Sequence, residues 1–289
     1  MIPDSDKVAA LIRETAETDI LPRFRALADE EVREKGPGNL VTAADLAAEA
    51  RLSRGLVGIV PGSVVVGEEA VETEPERMAR LDGAPPVWIV DPVDGTGNFV
   101  DGSPEFAVMV AYLVGGDCVA GWIHDPVRDV TAAAMRGDGA WMADRRLAVA
   151  APADLEELSG ALYYRSRVPE FRDHLRAARA RLGAIRNHRC AGQEYLRLVE
   201  ERIHFAVFSR LNPWDHVAGA LIHGEAGGVN ARLDGSPYRP DWARDATWTP
   251  RRGLMMAPDR ATWRRLHRLF FSTAPGWTGA IFEDEAAAD

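Results

Sequence analysis

The segment Trp88-Ile-Val-Asp-Pro-Val-Asp-Gly-Thr-Gly-Asn-Phe99 sets two carboxylates, Asp91 and Asp94, into one tight corner at the end of an apolar run. A turn needs one aspartate, not two with a proline between them. Like charges this close raise each other's pKa unless a cation lies between them. Hard divalent cations take oxygen ligands, and Mg²⁺ combines a few carboxylates with water and phosphate oxygens. Gly95-Thr96-Gly97 follows at once, with open backbone N–H groups of the kind an anion binds where a helix begins. Carboxylates for a metal beside amides for a phosphate outline a phosphoryl-transfer site.

Two further acidic sites share this placement. Gly67-Glu68-Glu69 follows the run Val64–Val66, and Asp215 follows Pro213-Trp214 at the start of a helical stretch. Taken singly, each is accounted for as a turn former or an N-cap. The paired acids of the Asp-Pro-Val-Asp corner are not. A dinucleotide-binding loop is the competing reading of the same glycines. Its third glycine is missing, with Val100 in that place, and two acids ahead of the loop would repel a pyrophosphate.

The elements that must position these groups are legible from periodicity. Apolar residues recur at helical spacing through residues 6–34, with a kink or break at Pro22, and a breaker-rich loop covers Glu34–Leu40. Thr42 reads as a helix N-cap with Asp45 in the capping-box position, opening a helix that runs toward Leu56 or Val60. Val64–Val66 and Val87–Val90 read as strands. From Phe106 to about Ala143, four apolar runs separated by Gly, Asp and Pro turns read as an antiparallel meander. Beyond Pro152 the pattern is mixed: strands at 161–166, 184–190, 203–209 and 253–258, and helices at 171–182, 192–201, 216–228 and 259–272. The whole reads as an α+β chain in two halves, 1–148 and 149–289, with a frayed tail at 283–289.

Bulk properties exclude several classes. The chain has 289 residues and a net charge of −10, a poor match to a nucleic-acid backbone. Cys118 and Cys190 are far apart and no CxxC pair exists, which excludes zinc ribbons and disulfide scaffolds and suits a reducing cytoplasm. No stretch reads as a signal peptide or a membrane span. A cytoplasmic protein acting on a small phosphorylated molecule, with no membrane or nucleic-acid partner, is the expectation.

Lys35, the run Leu40-Val-Thr-Ala-Ala-Asp45, Gly67-Glu-Glu69, Asp91-Pro-Val-Asp-Gly-Thr-Gly-Asn-Phe99 and Pro213-Trp-Asp-His-Val-Ala-Gly-Ala-Leu-Ile-His-Gly-Glu-Ala-Gly-Gly228 occur in this order. Together they resemble the inositol monophosphatase family, within the lithium-sensitive, Mg²⁺-dependent phosphatases that include fructose bisphosphatases. The resemblance covers nearly the whole chain and implies a layered αβαβα sandwich, a homodimer, two or three Mg²⁺ per active site and inhibition by lithium. It implies that Glu68, Asp91 and the Val93 carbonyl hold a first Mg²⁺ and that Asp91, Asp94 and Asp215 hold a second. Thr96, oriented by Asp45, would with Glu68 position the attacking water, and the Gly95 and Thr96 N–H groups would cradle the phosphate. Glu69 and Lys35 correspond to an outer acid and a loop lysine near a third, loosely held metal.

Departures from the family pattern concern the substrate's other end. Phe208 stands where an acid often reads a polyol. It is either a core strand residue or a pocket wall without an acceptor, and both argue against classical inositol-1-phosphate recognition. Arg189 replaces a glycine, next to Ala191-Gly192. It either meets a second anionic group or makes a surface ion pair. Arg210, and more weakly Arg165 and Arg167, are further candidates for the mouth. The histidines read as packed or surface residues, Trp214 as a support for the Asp215 turn, and both cysteines as small buried apolar residues. The expected activity is a phosphomonoesterase for a sugar or polyol phosphate. The alternatives are a 3′-phosphonucleotide or histidinol-phosphate phosphatase, or a regulatory protein on this fold that binds RNA polymerase or RNA.

Overall fold

The structure, a computed structural model, describes residues 2–36, 39–83, 85–164, 168–239, 253–275 and Trp277. Arg165, Arg167 and the tail at 283–289 lie outside the described residues. The chain is α+β, in the expected layered arrangement. Helices α1 (Ser5–Thr15) and α2 (Ala43–Ile59) form one outer layer, joined by the hairpin of β1 (Val32–Gly36) and β2 (Asn39–Thr42). Next lies a seven-stranded sheet: β3 (Val64–Gly67), β4 (Val87–Asp94), β5 (Ala107–Val114), β6 (Asp117–Asp125), β7 (Val130–Met135), β8 (Gly139–Met142) and β9 (Arg145–Arg146), adjacent in chain order. Two short helices, α3 (Glu68–Thr73) and α4 (Thr96–Val100), leave the ends of β3 and β4. A four-stranded sheet follows in the order β10 (Gly160–Tyr163), β11 (Phe205–Phe208), β13 (Leu254–Ala257), β12 (Val229–Arg232). Helices α6 (Ala191–Val199) and α7 (Pro213–Glu225) are sandwiched between the sheets, and α5 (Pro169–Arg179) and α8 (Arg260–His267) cover the outer face.

Strand alternation produces these layers. On β4 and β5, Trp88, Val90, Val108, Val110 and Tyr112 turn to the α1–α2 core, while Val87, Ile89, Met109 and Ala111 turn to the α6–α7 core. On β11 and β13, Ala206, Phe208 and Met256 share that middle core, while Phe205, Val207 and Met255 face α5 and α8. Both faces of both sheets are thus covered, so most of these strands read as continuous apolar runs rather than half-polar ones.

Three expectations are corrected. The first helix does not reach Val32: it passes through a π turn at Ala16–Ile20 to a 3₁₀ turn holding Pro22, and Val32 begins β1. Lys35 therefore lies on a strand, not in a loop. The segment 184–190 is not a strand but touches β10 through one bridge, Gly160 with Ile185. There Asn187 takes the ladder's place, accepting the Leu162 N–H (2.8 Å) and donating to the Leu162 carbonyl (2.9 Å). Among the described residues, no helix is long and apolar enough to cross a membrane.

His223, buried on α7, donates from Nδ1 to Asn230 Oδ1 (2.8 Å), and its Nε2 has no partner among the described residues. A charged ring would need an acceptor there, and burial lowers its pKa from 6.5 to about 4. The unfolded chain therefore binds this proton first, so the stability it contributes is present above about pH 6.5 and lost as the pH falls toward 4. Full charging costs about 3 kcal/mol. The thermal midpoint should fall across that window, and His223→Gln should flatten part of the fall. An unchanged slope in the variant would contradict the assignment.

Candidate metal and phosphate site

β3 and β4 run parallel with Gly67 opposite Val90. The next residues on each, Glu68 and Asp91, therefore emerge side by side at the strand ends, where α/β sheets commonly bind ligands. Asp91 and Asp94 are three apart and would point to opposite faces of a regular strand. Asp91 pairs with Met109 and Asp94 with Ala107, so β4 carries one extra residue across this interval. That bulge, at Pro92-Val93, turns both acids toward the α6–α7 side. Asp215 arrives from the opposite direction, in the first turn of α7, with Asn212 Nδ2 donating to its Oδ2 (3.1 Å).

Glu68, Asp91 and Asp215 each offer a carboxylate oxygen, all within 4.8 Å of one another. Asp91 is buried and the other two half-buried. Burial raises all three pKa values, Glu68 to about 7; Glu68 and Asp94 add to the rise at Asp91 and Asp215, and Glu69 and Asp45 add to it at Glu68. Lys35 opposes it at Glu68, and the charge of Arg210 opposes it at Asp215. Three oxygen donors that resist ionisation next to one another are the chemistry a hard divalent cation satisfies, so the residues fit Mg²⁺.

Asp94 stands beside this trio rather than in it. Its Oδ2 accepts the Gly192 N–H at the N-terminus of α6 (2.5 Å) and faces the Cys190 thiol (3.0 Å). Burial raises the Asp94 pKa, while Cys190 and the Gly192 and Ala191 amides pull it back. Ala191 thus meets Asp94 by its backbone. Cys190 is buried as expected, but it also caps α6 through the Gln193 N–H (3.4 Å) and braces Asp94. The sequence signal for this was its position ahead of Ala191-Gly192 at a helix start, where serine is common.

Thr96 Oγ1 lies 3.1 Å from Asp45 Oδ1 and 3.0 Å from the Val93 carbonyl. Asp45 Oδ2 takes the Thr42 N–H (2.9 Å) and hydroxyl (2.5 Å), so the capping box also aims Asp45 at Thr96. Burial raises Asp45 to about 6. Gly95 begins α4 at φ +88°, where a Cβ would lie 2.9 Å from the Glu105 carbonyl and 3.1 Å from Cys190 Cβ. Only glycine turns the chain there.

Lys35 Nζ contacts both oxygens of Glu69 (3.0 Å) and approaches Glu68 at 3.6 Å. Arg189 adopts φ +61°, exposes 65% of its side chain, pairs with Asp101 at 3.2 Å, and carries its guanidinium over Gly97. It is thus a surface ion pair placed at the edge of the α4 loop. Phe208 is a core residue, stacked on Tyr163 (5.1 Å) and Tyr195 (6.0 Å). It is not exposed at the mouth, which corrects its candidacy as a substrate contact. Trp214 is partly buried against the middle core, as a support for the Asp215 turn requires.

The sequence model of the inositol monophosphatase family matches residues 5–273. The inositol-1-monophosphatase of Mesorhizobium japonicum is 35% identical over 216 residues, 73% of this chain and 79% of that protein. A Pseudomonas aeruginosa protein named Nus factor SuhB is 33% identical over 211 residues, 71% of this chain and 76% of its own length. Among solved structures, a Thermotoga maritima IMPase has a TM-score of 0.77 at 25% identity, over 92% of this chain and 95% of that one.

Asp91→Asn should keep the acceptor for the Val93 N–H (3.1 Å) while removing one buried charge. The metal-free variant should melt no lower than the unaltered protein, since it loses an acid that burial and its neighbours hold against ionisation. Mg²⁺ should raise the melting temperature of the unaltered protein, and the variant should lose that rise. Thermal melts with and without Mg²⁺ check both signs, and an unaltered Mg²⁺ response in the variant would exclude Asp91 as a ligand.

Proposed function

The chain belongs to the inositol monophosphatase family, a family of phosphatases, and from that premise we propose a Mg²⁺-dependent phosphomonoesterase acting on a small phosphorylated metabolite. The observation that carries this reading is the meeting of Glu68, Asp91 and Asp215 beside the Thr96–Asp45 pair. In it, Glu68, Asp91, the Val93 carbonyl, Asp215 and Asp94 hold the cations. Magnesium, when bound, supplies the positive charge a transferring phosphoryl group needs and makes water a better nucleophile. Thr96 donates a hydrogen bond to Asp45 and turns a lone pair to the attacking water, with Glu68 fixing the water from the other side. The Gly95 and Thr96 amides, in the first turn of α4, face the phosphate. Lys35 keeps Glu69 as an outer acid. A homodimer belongs to the same reading.

Two features bear on the substrate. Phe208 is withdrawn into the core, so it offers a polyol neither acceptor nor wall. Arg189 and Arg210 put positive charge near the mouth, which suits a sugar or polyol phosphate carrying a second anionic group. The relative named Nus factor SuhB raises the regulatory alternative. Here the acidic trio is complete and the net charge of −10 opposes a nucleic-acid backbone, so hydrolysis is the stronger reading.

Phosphate release should require Mg²⁺ and stop on its removal by chelation. Thr96→Ala and Asp45→Asn should each lower kcat by about 10²–10⁴-fold. A panel of sugar, polyol, nucleotide and amino-alcohol phosphates measures this, with inositol-1-phosphate as a poor substrate. No turnover of any ester, together with capture of transcription proteins, would favour the regulatory reading. Arg189→Ala should raise KM about tenfold for bis-anionic esters and leave mono-anionic ones unchanged. Equal effects on both classes would place Arg189 outside substrate recognition.

A further inference from the structure

Glu49 lies on α2 one turn after Asp45, on the same face of the helix. Its carboxylate is buried and both oxygens are used. Oε2 accepts the Glu69 N–H (2.8 Å) and Oε1 the Ala70 N–H (2.9 Å). These are first-turn amides of α3, which no carbonyl of that helix can reach. α3 has six residues, too few to hold its own geometry, and Glu68 is the first of them. The strand end is shaped to admit this contact. A Cβ on Gly67 would lie 2.3 Å from Glu49 Cδ and 2.4 Å from Oε2. The Glu68-Glu69 corner is thus held from two sides, by Lys35 at the side chains and by Glu49 at the backbone. Lys35 alone would pull both acids toward itself and away from Asp91.

We propose that Glu49 is a positioning residue for the metal site. By bonding the Glu69 and Ala70 amides through the gap left by Gly67, it sets the direction in which Glu68 leaves β3 and keeps that carboxylate beside Asp91 and Asp215. Glu49 touches neither substrate nor cation; it acts through Glu68. This rests on the Mg²⁺ reading above. It ties together three positions of that reading, since one helix face carries Asp45 toward Thr96 and Glu49 toward Glu68. Partners that orient ligating groups typically change metal affinity 10–100-fold when altered.

The test is a calorimetric titration of Mg²⁺ into the full, substrate-free chain, with Glu49→Gln and Gly67→Ala as variants and Asp91→Asn as the ligand control. Glu49→Gln keeps shape but sets an amide N–H₂ against a backbone N–H. Gly67→Ala displaces the carboxylate from the other end and carries the test should Glu49→Gln not fold. Both should weaken Mg²⁺ binding about tenfold or more. The Ala70 amide should lose hydrogen-exchange protection in each. In activity assays the half-saturating Mg²⁺ should rise by the same factor, with kcat largely recovered at high Mg²⁺. A lower metal-free melting temperature with unchanged Mg²⁺ affinity would mean a structural role only and would overturn the proposal. If the unaltered chain binds Mg²⁺, Asp91→Asn does not, and Glu49→Gln binds as tightly as the parent, this inference alone falls. If the unaltered chain takes up no Mg²⁺, the metal reading falls with it.

Discussion

Repulsion among buried carboxylates is the constraint around which this fold is arranged. Asp91 and Asp215 are pushed toward the protonated state by burial and by Glu68 and Asp94, and Glu68 by burial and by Glu69 and Asp45. Left on one flexible segment they would swing apart into water. They stay together because each is fixed to a different element: the bulged end of β4, the first turn of α7 and the start of α3, which Glu49 braces. The covered sheet makes those elements stiff, since α1–α2 close one face and α6–α7 the other. The cost of crowding the acids is a local destabilisation of the kind that a cation between them would reverse.

Backbone amides, more than side-chain cations, do the fixing. Asp91 Oδ1 takes the Val93 N–H, Asp94 takes the Gly192 N–H, and Glu49 takes the two amides behind Glu68. An arginine paired with each acid would have neutralised it and competed with a metal. An amide orients a carboxylate and leaves its formal charge in place. Lys35 is the exception, and it meets Glu69 more closely than Glu68. The glycines belong to the same logic. Gly95 lets α4 begin against the Glu105 carbonyl, and Gly67 lets Glu49 reach α3. Both are places where function requires two backbones or a backbone and a carboxylate to approach closely.

What was legible in the sequence was whatever local spacing encodes. The capping box at Thr42–Asp45, the meander from Phe106 and the Asp-Pro-Val-Asp corner all follow from near neighbours, and the structure shows each. Glu49 was invisible because its partners are twenty residues on, and a glutamate at helical spacing from Asp45 looks like any solvated residue. Cys190 looks like apolar bulk in the sequence because the thiol's neighbour, Asp94, is ninety-six residues away. The segment 184–190 carries a strand-like composition, yet it makes one bridge, because the Asn187 side chain occupies both Leu162 backbone groups. Lys35 was assigned to a loop because Gly36 and its neighbours are breakers. The hairpin pairs up to Gly36 all the same, Asn39 opposite it.

The loop that follows Asn187 is built independently of the acidic cluster. Arg189 holds φ +61°, which costs a residue with a Cβ about 1–2 kcal/mol. The strain is sustained by a closed set of bonds. The Tyr163 hydroxyl accepts the Arg189 N–H (2.6 Å) and donates to the buried Glu194 (2.6 Å), which also accepts the His188 N–H (2.8 Å). Asn98, on α4, donates to the His188 carbonyl (2.7 Å). The loop that carries Arg189 is therefore tied on one side to the four-stranded sheet through Tyr163 and on the other to the helix that opens at Gly95. A change at position 189 would alter what the mouth meets while leaving those ties intact, since they run through backbone groups of the loop and side chains around it. The clustered acids have no such freedom, because moving Glu68 changes the charge felt by both Asp91 and Asp215. A fold built this way can exchange the exposed side chain at 189 without disturbing the acidic trio of Glu68, Asp91 and Asp215.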